Sequence, residues 1–182
     1  MECLFECLKA ILLGVVQGIT EWLPISSTGH MILVDEFIHL GGGKEFVDLF
    51  LVVVQLGSIL AVCLLYFDKL NPFSKRKRFE EKKQTIDLWI RVLIACVPAG
   101  VIGVLFNDEI KAIFFNSKVI AFTLIIYGIG FILIENAHLS YSVRKLEDIR
   151  PLKAAGVGLF QILALIPGTS RSGSTIMGAS LL

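Results

Sequence analysis

Gln17, Glu21, Ser26, Ser27, Thr28 and His30 set an amide, a carboxylate, three hydroxyls and an imidazole close together in the chain. A carboxylate or imidazole beside a serine can take the hydroxyl proton and turn the oxygen into a nucleophile. Gln17 and Glu21 are four residues apart, so on a helix they stack on one face. A second stretch, Pro167-Gly168-Thr169-Ser170-Arg171-Ser172-Gly173-Ser174-Thr175, brings a permanent cation among hydroxyls and glycines. The planar donor fork of arginine matches two phosphate oxygens at once, and glycines let backbone N–H groups approach an anion. An acidic, hydroxyl-rich stretch set against a basic one has the inventory for phosphoryl transfer.

The two stretches are copies of one unit. Lys9-Ala10, Gly14, Gln17, Pro24 and Ser26-Ser27-Thr28-Gly29 return as Lys153-Ala154, Gly158, Gln161, Pro167 and Ser170-Arg171-Ser172-Gly173, at one spacing except for a one-residue slip of the proline. Duplication explains this register.

Both copies sit in apolar sequence. Hydrophobic residues make up 55% of the chain and charged residues 18%, with a mean hydropathy of +0.77, which marks an integral membrane protein. The formal net charge of +1 gives no reason to expect nucleic acid as a partner. Cys3, Cys7, Cys63 and Cys96 lie in apolar sequence without metal-ligand or disulfide spacing, and are expected to serve as small packing residues.

A spanning helix needs about 20 apolar residues. Stretches 46–67, 86–106 and 112–134 meet that need. Lys69, Lys75, Arg76, Lys77, Arg78, Lys82 and Lys83 crowd one connection, whereas 35–45 and 107–111 are poor in Lys and Arg. The crowded loop is therefore expected to be cytoplasmic, and Arg144, Lys145, Arg150 and Lys153 mark a second cytoplasmic connection. The opening apolar run carries Glu2, Glu6 and Glu21 without a basic flank, unlike a cleavable signal.

As one straight helix, 4–34 would be roughly 45 Å long, so it is expected to break. Pro24 lacks the amide donor, Ser26, Ser27 and Thr28 offer competing side-chain bonds, and Gly29 relaxes the backbone. Non-helical backbone at membrane depth must be enclosed by protein or a watery cavity, so each elbow should line a site. Three spans between two re-entrant hairpins make the elbows enter from opposite sides. The expected fold is an all-α polytopic membrane protein, an inverted-topology repeat forming one membrane domain over 1–182. It comprises a first elbow (1–43), three spans (44–135) and a second elbow (151–182). Other roles are open to the key residues. Glu21 could be interfacial, Arg171 a snorkelling flank or the ion-pair partner of Glu21, and His30 a helix-end group bonded to backbone. His39 and His138 receive no role.

At these residues the chain resembles the undecaprenyl-diphosphate phosphatase family, the bacitracin-resistance type of bacterial membrane enzyme. That family's [Glu/Gln]-x-x-x-Glu motif corresponds to Gln17 and Glu21, followed by Pro24-Ile25-Ser26-Ser27-Thr28-Gly29-His30. Its Pro-Gly-x-Ser-Arg-Ser-x-x-Thr motif is complete from Pro167 to Thr175. Gln55-Leu56-Gly57-Ser58-Ile59-Leu60-Ala61-Val62 is also similar and is read mainly as helix packing. The resemblance implies hydrolysis of undecaprenyl diphosphate to undecaprenyl phosphate, which recycles the lipid carrier for bacterial wall polymers and gives bacitracin resistance. It implies the cytoplasmic membrane, a site toward its outer side, a polyprenyl diphosphate lipid as substrate and a homodimer as assembly.

By the same resemblance Ser27 is the nucleophile, Glu21 and His30 are acid/base or orienting groups, and Arg171 is the diphosphate clamp. Gln17, Ser26, Thr28, Gly168, Ser170, Ser172, Gly173 and Thr175 would surround the substrate. A divalent cation, magnesium or calcium, would bridge Glu21 and the diphosphate. Members of the family continue beyond the second elbow, so the second half of the repeat is expected to be incomplete at Leu182. The alternative is a transporter or flippase of a lipid phosphate, since inverted repeats with polar breaks are also transporter devices. A histidine-nucleophile lipid phosphatase does not suit the sequence, because Met177 stands where the Ser-Arg-x5-His pattern needs histidine.

Overall fold

The computed structural model describes residues 2–137, 143 and 146–182, and those residues form helices and turns without a strand. His138, Arg144 and Lys145 lie outside the described residues. Helices α1 (Glu2–Thr20) and α2 (Ser27–Ile38) form a hairpin. Then come α3 (Lys44–Val53), α4 (Gln55–Leu65) and the single turn α5 (Phe67–Leu70). The long helix α6 (Phe79–Phe114) leads into α7 (Ser117–Asn136). A 3₁₀ turn (Leu146–Asp148) precedes a second hairpin made of α8 (Pro151–Gln161), a 3₁₀ turn (Ile162–Leu165) and α9 (Arg171–Leu181).

Four helical segments are long and apolar enough to cross a membrane: Glu2–Thr20, Lys44–Leu65, Phe79–Phe114 and Ser117–Asn136. The second consists of α3 and α4 joined through Val54. Their large apolar side chains mostly face outward, Val104 and Leu64 among them. A bilayer suits such a surface; water does not. Leu13 and Met31 are fully buried between α1 and α2, and with Leu40 and Leu51 they form the core that holds the first hairpin closed.

Two boundaries differ from the sequence reading. The expected loop 107–111 is helical, and α6 continues to Phe114 past a kink at Phe106 (φ −123°, ψ 21°). No glycine or proline follows Phe106 in α6, so the chain resumes its helix until Asn116, whose side chain caps α7 by accepting from the Val119 amide at 2.9 Å. The last span accordingly starts at Ser117 instead of 112. The cysteines also differ. All four are free and exposed instead of buried in the packing.

The hairpins open at opposite ends of the bundle. At the open end of the first, Glu6 accepts from the Gly41 amide (2.6 Å), Lys9 donates to the His39 carbonyl (2.9 Å), and Glu36 accepts from Ser117 (2.6 Å) at the start of α7. The second opens beside the start of α6, where Leu146 and the basic loop residues Lys69 and Lys77 line one depression with Thr85. Their closed tips therefore meet at mid-bundle.

Candidate active site

Each tip is built by a helix that stops and another that starts. α1 ends at Thr20, whose hydroxyl turns back to the Val16 carbonyl at 2.6 Å, and Pro24 keeps the turn from continuing as helix. Ser26 then takes a left-handed conformation (φ 67°) and its hydroxyl accepts from the Gly29 amide at 3.3 Å, capping α2. The second tip repeats this cap: Ser170 accepts from the Gly173 amide at 3.1 Å. Gly168 there has φ +92°, a backbone that a side chain would strain.

The tips touch through reciprocal positions. A Cβ on Gly29 would stand 3.1 Å from the Gly168 backbone, and one on Gly173 would stand 3.1 Å from the Pro24 carbonyl. Gly29 and Gly173 are equivalent in the repeat, and because the proline slips by one residue, Pro24 falls in register with Gly168, next to Pro167. Exchange of equivalent positions across a contact is the mark of a two-fold relation. The positive ends of α2 and α9 consequently converge, which favours an anion between them.

Between the tips lies a cavity of about 470 Å³. Glu21, Ser26, Ser27 and Thr28 line it from the first elbow; Gly168, Ser170, Arg171, Ser172 and Thr175 line it from the second. Ser27 opens α2, and its hydroxyl donates to Glu21 Oε2. The same Oε2 accepts from Gln17 Nε2 at 3.3 Å, and Gln17 Oε1 in turn accepts from Ser58 at 2.9 Å. Gln17 is 2% exposed, so it acts from behind the carboxylate and does not reach the cavity. This directional chain aims Glu21 at the Ser27 proton.

Arg171 is exposed at the cavity, and its guanidinium makes no hydrogen bond or ion pair among the described residues, although its carbonyl accepts from the Thr175 hydroxyl at 3.2 Å. It is therefore not the ion-pair partner of Glu21, and its donors face a ligand space. Ser172 and Ser170 hydroxyls lie 3.0 Å apart beside it, whereas the Thr175 hydroxyl donates to the Ser172 carbonyl at 2.8 Å. Gly173 is buried beneath the cavity against Phe131. His30 stands apart from the cavity lining; its Nδ1 donates to the Ser26 carbonyl at 2.9 Å. That is the helix-end role, and it leaves Glu21 as the group in contact with Ser27. His39 likewise bonds the Asp35 carbonyl through Nδ1.

Sequence reasoning missed Ser58 and Gln55. The stretch that reads as helix packing supplies both the donor to Gln17 and a donor to Thr28, from Gln55 Nε2 at 3.3 Å. The signal was two polar residues, three apart, in an otherwise apolar span. Ser58→Ala is expected to lower turnover about fivefold, the worth of one hydrogen bond of about 1 kcal/mol, by releasing the Gln17 amide from its orientation. Steady-state phosphate release measures it, and unchanged turnover would show that the relay is idle.

The profile of the family described as Bacitracin resistance protein BacA matches residues 10–182. The chain belongs to the BacA family. It is 56% identical over 179 residues to Undecaprenyl-diphosphatase 1 of Clostridioides difficile, covering 98% of this chain and 65% of the relative. Identity to the Undecaprenyl-diphosphatase of Enterococcus faecalis is 57% over 176 residues, covering 96% and 64%. A third relative, the Undecaprenyl-diphosphatase of Acetivibrio thermocellus, is 52% identical over 181 residues, covering 98% and 66%. The chain thus spans about two thirds of the length of these BacA-type relatives, and that part includes both elbows.

A divalent cation would find one carboxylate in the cavity lining, that of Glu21, and no cluster of three His, Cys, Asp or Glu exists among the described residues. Such a donor set suits magnesium held jointly by one carboxylate and a substrate's phosphate oxygens, not a resident all-protein site.

Proposed function

We propose that the protein hydrolyses undecaprenyl diphosphate to undecaprenyl phosphate and inorganic phosphate. The observation that carries this reading is that the Ser27 hydroxyl, already bonded to Glu21, lines one cavity with the Arg171 guanidinium, which has no partner among the described residues. Ser27 Oγ attacks the terminal phosphorus while its proton passes to Glu21. The bond to the bridging oxygen breaks, and the lipid monophosphate departs with the bond's electron pair and takes up the proton held by Glu21. Water then attacks the phosphoserine and gives a proton to Glu21, the Ser27 Oγ–phosphorus bond breaks, and Glu21 returns that proton to Ser27 Oγ, which frees phosphate and restores Ser27. Arg171 and the amides opening α9 oppose the charge that gathers on the phosphoryl oxygens. Ser26, Thr28, Ser170 and Ser172 offer hydroxyls to the same oxygens. A magnesium or calcium ion between Glu21 and the diphosphate would neutralise further charge.

The two-fold contacts and the oppositely opening hairpins support an inverted-topology repeat with its site at mid-membrane. The basic loop supports placing the first hairpin toward the outer side of the bacterial cytoplasmic membrane. The prenyl tail can then remain in lipid while the headgroup enters the cavity, and release of the monophosphate returns the carrier to wall synthesis and underlies bacitracin resistance. A transporter would gain nothing from a serine poised on a carboxylate, so hydrolysis is favoured over flipping. The test is phosphate release from undecaprenyl diphosphate by purified protein in detergent, where there is no membrane to cross. Multiple turnovers are expected; binding of the lipid without release of phosphate would refute the reading.

A further inference from the structure

Helix α7 touches both elbows along a single stripe. Ile120, Thr123, Tyr127 and Phe131 recur at three- and four-residue spacing and so share one face. Ile120 is fully buried, and its side chain packs under Gly29, two residues past Ser27, within 3.4 Å of where a Cβ would lie. Thr123 Oγ1 lies 2.8 Å from the Pro167 carbonyl and 2.9 Å from the Ile120 carbonyl, so its proton is shared between the second elbow and its own helix. Tyr127 bonds the hydroxyl of Ser174, which is itself completely buried. The Ser174 proton is given to the Ser170 carbonyl at 2.9 Å, so Tyr127 is the donor and Ser174 the acceptor in their pair. Phe131 closes the stripe against Gly173.

These bonds bracket Arg171. One reaches Pro167, four residues before it, and the other reaches Ser174, three residues after it. An irregular backbone at membrane depth must find its partners inside the protein or its cavity, and the Thr123 hydroxyl fixes where the Pro167 carbonyl can rest. We infer that Thr123 and Tyr127 are positioning residues: through Pro167 and Ser174 they set the opening of α9, and with it the Arg171 donors, in register with the Ser27 elbow that Ile120 supports. The inference rests on the reading of this cavity as a phosphoryl site, and it extends that reading to a helix bearing no residue of either elbow motif. A clamp displaced by a fraction of an ångström loses oxyanion contacts while the fold persists.

The test compares the parent protein with Thr123→Val, Thr123→Ser and Tyr127→Phe in lipid nanodiscs. Inorganic phosphate alone, titrated calorimetrically, reports the clamp without turnover. Thr123→Val and Tyr127→Phe should each weaken phosphate binding about fivefold to tenfold and lower kcat on undecaprenyl diphosphate by a similar factor, with melting temperature unchanged. Thr123→Ser, which keeps the hydroxyl, should restore both values. Phosphate affinity equal to the parent's in both hydroxyl-deleted variants would overturn the inference and leave the hydrolase reading intact. So would a loss that Thr123→Ser fails to restore, which would mark a packing role. A parent that binds phosphate but releases none from the lipid defeats the hydrolase reading alone, and the titrations still decide the role of α7. A parent that binds no phosphate overturns the inference, since there is then no clamp to position.

Discussion

Ser27→Ala should reduce phosphate release from undecaprenyl diphosphate by roughly 10³-fold or more, because it deletes the attacking atom itself. Few other changes at this site would be so clean. The methyl group fits the same helix position, the α2 cap belongs to Ser26 and survives, and Glu21 keeps the Gln17 donor. Membrane insertion and melting temperature should therefore stay at parental values, so that lost turnover reports chemistry. Glu21 makes its contact with Ser27 and not with His30, and nothing else within that contact can substitute for the lost oxygen. Turnover by the purified alanine variant within tenfold of the parent would remove Ser27 from the mechanism.

Arg171→Ala is expected to cost about 10²- to 10³-fold in kcat/KM, the range found when one strong donor to a developing oxyanion is removed. The guanidinium is exposed to the cavity and bonds no protein group among the described residues, so its removal strands no buried partner. Binding of diphosphate and stabilisation of the transition state should both suffer, raising KM and lowering kcat. Arg171→Lys should recover part of the loss only, since an ammonium supplies charge without the two-pronged geometry. Full recovery by lysine would mean that charge alone is needed, and unaltered kinetics in the alanine variant would exclude Arg171 from the clamp.

These two effects contrast with the fivefold change expected at Ser58, and the contrast follows from position. Ser27 and Arg171 line the cavity itself, whereas Ser58 reaches it through Gln17 and Glu21. Their pairing also has an evolutionary logic visible in the repeat, because Ser27 and Arg171 occupy equivalent places in the two copies. The same opening position of the same kind of capped helix carries a serine in one half and the cation in the other.

The amino-acid sequence alone determined the membrane class, the duplicated elbows and the residue types at their tips. Apolar stretches of spanning length admit few other folds, and proline, serine and glycine at fixed offsets force a break wherever the helix would otherwise continue. Tertiary structure decided what those residues do to one another. Whether Glu21 serves Ser27, whether Arg171 is spent on an ion pair and whether His30 faces the substrate all depend on distances across the fold. Helix periodicity places Ile120, Thr123 and Tyr127 on one face, yet cannot say which hairpin that face will meet. The same limit hid Ser58 and Gln55, since a hydroxyl or amide in an apolar helix can bond its own backbone or a neighbour with equal chemical ease. Only the packing of α4 against α1, and of α7 beneath both elbows, selects the partner.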